Sequence, residues 1–385
     1  MNKTLRAIQP SATLAIASRA RKLAVEGQNV CNFAAGEPDF DTPELAKEGA
    51  IAALRAGETK YTPIAGITAL CSEIATKLKR DNGLEYSPSQ VIVSCGAKHS
   101  LANVFFALCN PGDEVVIPAP FWLSYPEMVR IAGGVPVFVT GTEAHGLKIT
   151  PAQLEAAITP RTVAFILNSP SNPTGIVYNE GELRALAEVC VKHGVYIVAD
   201  EIYERMVYDG TQHVSVGSLS PEIFQRTITV NGLSKAYSMT GWRVGYTAGP
   251  SDVINAMCTV QSHTASPSTT FVQHGAVTAL KTCESAVVEM VEAFARRRER
   301  MFEMLTAIKG VTCIKPMGAF YMFPNISAFG LDSKTFCERL IDSQHVAAVP
   351  GVSFGADANI RMSYACSMKE IEEGVTRLKA FTESL

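Results

Sequence analysis

The segment NGLSKAYSMTGWRVGY, residues 231–246, decides how the rest of the chain is read. Lys235 follows a short apolar run and sits in a turn of small residues, and Arg243 comes eight positions later. The glycines around them leave backbone free to pass close to a bound group. A lysine at a strand end, among groups that lower its pKa, is a candidate Schiff-base former. An arginine beside it offers a planar fork to a phosphate. The alternative is a lysine and an arginine on a solvated loop. Spacing alone leaves both open.

Outward from this segment one pattern repeats. VIVS near 91, EVVI near 114, VPVFV near 135, TVAFIL near 162, VYIVAD near 195, RTITVN near 226 and RVGYTAG near 243 read as strands. Helical stretches separate several of them. Thr150-Pro151-Ala152-Gln153 opens one with a capping box, and Gly194 stops another that runs from Glu182 to His193. Upstream, Thr42 is expected to cap a helix that has Pro43 at its first position and ends at Gly57. Apolar strands alternating with amphipathic helices predict an α/β fold whose mostly parallel sheet is covered on both faces.

The flanks read differently. LRAIQPSAT and AAGEPDF, with Pro10 and Pro38, predict loops. Residues from Pro267 to Gly310 are helical in character, and ARRRERM at 295–301 reads as a solvated helix face. GAFYMFP, a helix near 333–343, HVAAVPG and NIRMSYA predict a small α/β unit. The expected division is a small domain made by both termini, residues 1–40 and 290–385, and a large domain over 41–289.

Composition narrows the function. The chain has 385 residues, 47% apolar and 18% charged, enough for a large core and for two domains. A formal charge of −3 argues against general affinity for nucleic acid or anionic membrane. The N-terminus lacks a secretory pattern, and no run approaches a bilayer span. Ten cysteines without a C-x-x-C pair suggest neither zinc nor a disulfide framework. The protein is expected to be cytoplasmic.

Four further stretches carry chemistry. VYIVADEIY ends an apolar strand in Asp200, with Tyr203 three residues on. An acid there holds magnesium, pairs with a cofactor's ring nitrogen, or caps the next helix. The magnesium reading needs a G-x-x-x-x-G-K-[ST] loop, which the chain lacks. NSPSNPTG places Asn172 before Pro173, where it is not easily helical, so its amide is free to meet a ligand. Cys95-Gly96-Ala97 turns a strand directly into a helix, a geometry that presents amides to phosphate. APFWLSYP sets Trp122 on a loop, as a stacking platform or a core residue. NIRMSYA puts Arg361 on a strand, gripping a substrate carboxylate or forming a structural salt bridge.

Taken together and in order, AGEPDF, NSPSNPTG, ADEIY, SKAYSMTGWRVGY and the NIRMSYA arginine resemble the class I pyridoxal-phosphate-dependent aminotransferases. The match is to the bacterial-type aspartate aminotransferase subgroup of fold type I, whose large domain has a mostly parallel seven-stranded sheet. The resemblance spans nearly the whole chain. It implies that Lys235 carries pyridoxal phosphate, that Asp200 pairs with the ring nitrogen, and that Asn172 and Tyr203 bond the ring's phenolic oxygen. Trp122 would stack on the ring. Arg243, the Gly96-Ala97 amides and Tyr61, reaching over from the partner subunit of a homodimer, would hold the phosphate. Arg361 would grip the α-carboxylate, with Gly36 touching it through backbone. A partner-subunit arginine that reads the aspartate side chain in other relatives has no counterpart, since no arginine lies between Arg243 and Arg296. In the subgroup resembled here a lysine does that work, and Lys98 takes the matching place, assisted by Thr13. The activity implied is ping-pong transamination of aspartate with 2-oxoglutarate. The alternatives are a dual aspartate/prephenate enzyme, for which Arg6 is a further candidate, or a broader aromatic and dicarboxylate aminotransferase. A non-catalytic binding protein of the same fold is disfavoured by the presence of Lys235.

Overall fold

A computed structural model describes Arg6, Ile8 and residues 12–385. Among the described residues twelve strands follow in chain order. They are β1 (Cys31–Asn32), β2 (Val91–Ser94), β3 (Glu114–Ala119), β4 (Val135–Thr140), β5 (Thr162–Asn168) and β6 (Tyr196–Asp200). After them come β7 (Thr227–Gly232), β8 (Gly245–Ala248), β9 (Tyr321–Met322), β10 (Val346–Ala347), β11 (Val349–Pro350) and β12 (Ile360–Ser363). Seven of these form one sheet in the order β2-β8-β7-β6-β5-β3-β4, and they are the seven apolar runs read from the sequence. All neighbours are parallel except β8, which is antiparallel to both β2 and β7.

The strands are apolar because both faces are covered. On one face Val198 of β6 and Ile228 and Val230 of β7 pack with Leu101, Val104 and Phe105 of helix Ala97–Leu108. On the other, Ile197 and Ala199 of β6 meet Leu183, Leu186 and Cys190 of helix Glu180–His193. The two-residue period of a strand therefore sends Asp200 to the face of helix Ala97–Leu108 and its neighbours to the opposite face. Both capped helices form as expected. Gln153 N–H reaches Thr150 Oγ1 at 3.3 Å, and helix Glu180–His193 ends at Gly194 in the left-handed region.

A second core gathers helix Glu284–Thr306, through Phe294, Met301 and Leu305, onto the three-stranded sheet β11-β12-β9 and the pair β1-β10. Among the described residues no helix is long and apolar enough to cross a membrane. All ten cysteines are free.

Three expectations fail. The loop expected over LRAIQPSAT gives way at Ala12 to a helix that runs to Val25, where the alanines at 15, 17, 20 and 24 favour helix without any strong apolar stripe to reveal it. Pro10 lies outside the described residues. Thr42 does not cap the helix Glu44–Arg55, since its hydroxyl instead donates to the Ser238 carbonyl at 2.8 Å. The arginines of 295–301 are not simply solvated. Arg298 is 1% exposed and donates to Asp209 Oδ1 at 2.6 Å and the Pro316 carbonyl at 3.0 Å, while Arg297 forks onto Asp39 at 2.6 and 3.0 Å.

Candidate active site

Strand ends build the site. β7 runs out at Gly232, and the turn that follows holds Lys235, whose Nζ donates to the Gly36 carbonyl. The ammonium stands 5.9 Å from the ring centre of Tyr203 and 5.7 Å from that of Phe320. Burial pushes its pKa down to about 8, with Arg361 and Arg243 pushing the same way and Glu37 and Asp200 opposing. About a tenth of this amine is therefore uncharged at pH 7, the form that proton transfer requires.

Asp200 ends β6 and is buried. Tyr125 Oη donates to its Oδ2 at 2.6 Å and the Ile202 N–H to its Oδ1 at 3.3 Å. Burial nevertheless raises its pKa to about 6. No helix follows Asp200, so it is not a helix cap. A buried carboxylate without a full cationic partner is a costly thing to fold, and a cation delivered into the cavity would relieve it.

Arg361 on β12 is 2% exposed and sandwiched by rings, its guanidinium carbon 4.5 Å from the centre of Tyr321 and 5.1 Å from that of Phe354. Nη1 donates to Asn172 Oδ1 and Nη2 to the Ala34 carbonyl, both at 3.0 Å, while Nε has no partner. Among the described residues no carboxylate pairs with it, and the structural salt bridge is thereby set aside. A buried arginine held only by neutral acceptors is a receptor for an anion.

Arg243 takes the left-handed conformation (φ 57°) and donates to the carbonyls of Thr240 at 2.9 Å and Cys95 at 3.1 Å. It lies hard against the start of helix Ala97–Leu108. A Cβ on Gly96 would sit 2.4 Å from Arg243 Nη2, and one on Gly245 would sit 2.2 Å from the Ala97 nitrogen. Only glycine at both places lets the guanidinium and the helix N-terminal amides converge, a cradle suited to phosphate.

These groups share one cavity of about 640 Å³, lined also by Thr13, Gly36, Ala97, Lys98, Trp122, Asn172 and Tyr203. Lys98 is exposed at its mouth with Nζ 4.9 Å from the Trp122 ring centre, and desolvation there and the charge of Arg243 lower its pKa. Among the described residues Thr13 Oγ1 is buried without a partner. Two candidates stand apart. Tyr61 is 92% exposed and Arg6 is exposed, and neither lines the cavity.

Sequence reasoning missed three contributors. Tyr125 bonds Asp200, Tyr321 Oη lies 2.9 Å from Tyr203 Oη, and Asn168 links the Asp200 carbonyl (2.9 Å) to the Asn172 N–H (2.9 Å). Tyr125 and Tyr321 stood inside quoted stretches, but nothing local separates a tyrosine that packs from one that bonds.

Comparison with known proteins places the chain in a family. Residues 28–378 match the family model for aminotransferase class I and II. The chain is 49% identical over 387 residues to an aspartate aminotransferase of Geobacillus stearothermophilus, covering 99% of this chain and 98% of that one. It is 46% identical over 396 residues to an aspartate/prephenate aminotransferase of Cereibacter sphaeroides, covering 100% and 99%. A solved aspartate aminotransferase from Thermus thermophilus with maleate superposes with a TM-score of 0.95 at 43% identity, covering 99% of both chains.

Proposed function

The chain belongs to the class I and II aminotransferases, which depend on pyridoxal phosphate, and we propose that it moves the amino group of L-aspartate to 2-oxoglutarate, giving oxaloacetate and L-glutamate. The observation that carries this reading is Arg361, a buried guanidinium facing the Lys235 cavity with no carboxylate of its own. Its missing partner is the α-carboxylate of a substrate.

The donor set fits the cofactor. The cradle of Arg243 and the amides beside Gly96 would take the phosphate, the buried Asp200 carboxylate the ring nitrogen, and Asn172 with Tyr203 the phenolic oxygen. When bound, pyridoxal phosphate supplies an acceptor for the electron pair left as the substrate's α-proton departs. Asp200, steadied by the Tyr125 hydroxyl, would supply the negative charge that holds a proton on the ring nitrogen. Trp122, which lines the cavity, would stack on the ring. Lys235 Nζ removes the α-proton and returns it, and the Gly36 carbonyl fixes its direction. Arg361, clamped by Tyr321 and Phe354, orients the α-carbon. Lys98 and the unpartnered Thr13 hydroxyl receive the side-chain carboxylate. Two half-reactions share one site, so the kinetics are ping-pong.

Tyr61 reaches no group of its own site, which supports a homodimer in which it serves the phosphate of the partner subunit. The separate sheets support a small unit of residues 1–40 with 290–385 beside a large one of 41–289.

A second reading has its own support. Lys98 is a rotatable point charge at an exposed mouth, a tolerant reader of where the distal carboxylate lies. Some relatives are named for aspartate and prephenate together. Single-turnover half-reactions followed through the cofactor's visible band separate the two. Rapid turnover with aspartate and glutamate but not arogenate means a dicarboxylate enzyme, and comparable arogenate turnover means the dual one. A protein that shows no cofactor band overturns both.

A further inference from the structure

Behind Asp200 the chain turns charge inward. Asp200 and Tyr203 line the cavity, whereas Glu201 and Glu204 point into a second cluster, where they are 3% and 8% exposed. Glu204 is bonded by the Lys77 ammonium and, at 2.7 Å, by Asn82 Nδ2, both from helix Thr68–Asn82. Asn82 Nδ2 also donates to Ser215 Oγ at 2.7 Å, and Ser215 Oγ donates to Glu201 Oε2 at 2.7 Å. His213 Nε2 lies 3.3 Å from that same Oε2, and its Nδ1 is buried without a partner. Two buried carboxylates thus face two cationic groups, Lys77 and His213. Burial opposes a charge on His213, but Glu201 and Glu204 outweigh both burial and Lys77, so its pKa is raised. Tyr86 and Tyr246 also lie within reach of Glu201, and the cavity that His213 and Glu204 line carries Arg80, Asp81, Arg205, Lys281 and Glu284.

Glu201, Glu204 and His213 have the spacing of a metal site, all three ligand atoms lying within 4.8 Å. The Lys77 ammonium, already on Glu204, fills the place a cation would take. The cluster's charge reaches the cavity instead. Glu201 acts on Asp200 across the strand end and favours its protonated form. The backbone between them is pinned, Glu201 N–H to the Val230 carbonyl and Glu204 N–H to the Glu201 carbonyl, both at 2.9 Å.

We propose that Glu201 and His213 are positioning residues for the reaction, a buried charge pair that anchors the end of β6 and sets how firmly Asp200 keeps its negative charge for the cofactor. Glu201 alone would push Asp200 toward its neutral form. The His213 ring, 3.3 Å from Glu201 Oε2, is placed to offset that push when charged. This inference rests on the pairing of Asp200 with the ring nitrogen proposed above.

The test is equilibrium binding of pyridoxamine 5′-phosphate to wild type, Glu201→Gln and His213→Gln from about pH 4.5 to 8, read by protein fluorescence. Affinity falls on the acid side as Asp200 protonates. Glu201→Gln is expected to move that acid midpoint down and His213→Gln to move it up. Each shift is about half a pH unit, or about threefold in affinity on the acid limb. Both substitutions break the same contact, so a purely structural role would move both midpoints the same way, or lower melting temperature and move neither. Either result overturns the proposal. Should His213→Gln fail to fold, the His213 ring resonance of wild type is titrated with and without pyridoxamine 5′-phosphate. Linkage requires the ligand to move its midpoint, and an unmoved midpoint is equally fatal. Asp200→Asn separates the premise from the inference. If that variant binds as tightly as wild type with the same acid limb, the assignment of Asp200 itself is wrong.

Discussion

Two clusters of buried charge stand on either side of the end of β6, and they are built on opposite rules. In front, Lys235, Asp200 and Arg361 lie in one cavity, yet neither Asp200 nor Arg361 has a counter-ion of its own. Behind, Lys77, Glu204, Glu201, His213, Asn82 and Ser215 pair with one another, with His213 Nδ1 left over. A buried charge without a partner is expensive to fold, and one with a partner costs little more than the desolvation already met. The cluster left open is the one a ligand completes. The cluster closed on itself holds the scaffold in register.

Breaking the open cluster should cost chemistry first. Lys235→Ala is expected to lower turnover about ten-thousandfold by removing the proton-transfer group, with the far-ultraviolet circular dichroism unchanged. Single-turnover rates with aspartate check this. A residual rate near that of wild type would mean another base does the work.

Breaking the closed cluster should cost stability instead. Lys77→Met leaves Glu204 buried beside Asn82 with no ammonium, a loss of about 3–5 kcal/mol in denaturant unfolding. Adding Glu204→Leu should recover much of it. If the double variant is as unstable as the single one, the pair is not the unit described here.

Arg361→Lys keeps the charge but not the fork. Its kcat/KM for aspartate should fall by about 2–3 kcal/mol, roughly a hundredfold, in steady-state assays. A change confined to Tm would point to packing between Tyr321 and Phe354 rather than to substrate.

Asp200 links function and stability in opposite senses. Its folded pKa lies above the ordinary carboxylate value, so the folded state prefers the neutral acid. The cost of the charged form is absent below about pH 4, grows as pH rises toward 6, and is fully present above it. Asp200→Asn should therefore stabilise the cofactor-free protein at neutral pH, by on the order of 2–3 kcal/mol, and leave it unchanged near pH 4. Thermal melts at the two pH values decide it, and a variant less stable at neutral pH would contradict the electrostatic account. The smallest effect belongs to Lys98→Ala, about tenfold in KM for aspartate with little change for a monocarboxylate donor. An equal loss for both would remove Lys98 from the side-chain subsite.

Which of these residues a reader of the sequence would have found follows from how far apart partners lie. All seven strands of the main sheet are legible, because a two-residue or unbroken apolar period is written into six or so consecutive positions. Lys235, Asp200, Asn172, Arg243 and Arg361, which line one cavity, each stood out in the sequence within a short motif. The helix Ala12–Val25 escapes because its alanines carry propensity without an apolar stripe. Thr42 is misread because a side chain with a local use as a cap has a distant one at Ser238.

The sequence by itself determined the order of the elements, the parallel sheet and the places where its strands stop, since these depend on neighbours along the chain. Only the tertiary structure decided which polar groups meet. Tyr125 finds Asp200 across 75 residues, Tyr321 finds Tyr203 across 118 and Lys77 finds Glu204 across 127. Pairing of buried polar groups is a condition on three-dimensional neighbours, imposed when water is removed, and no local pattern of residues carries it.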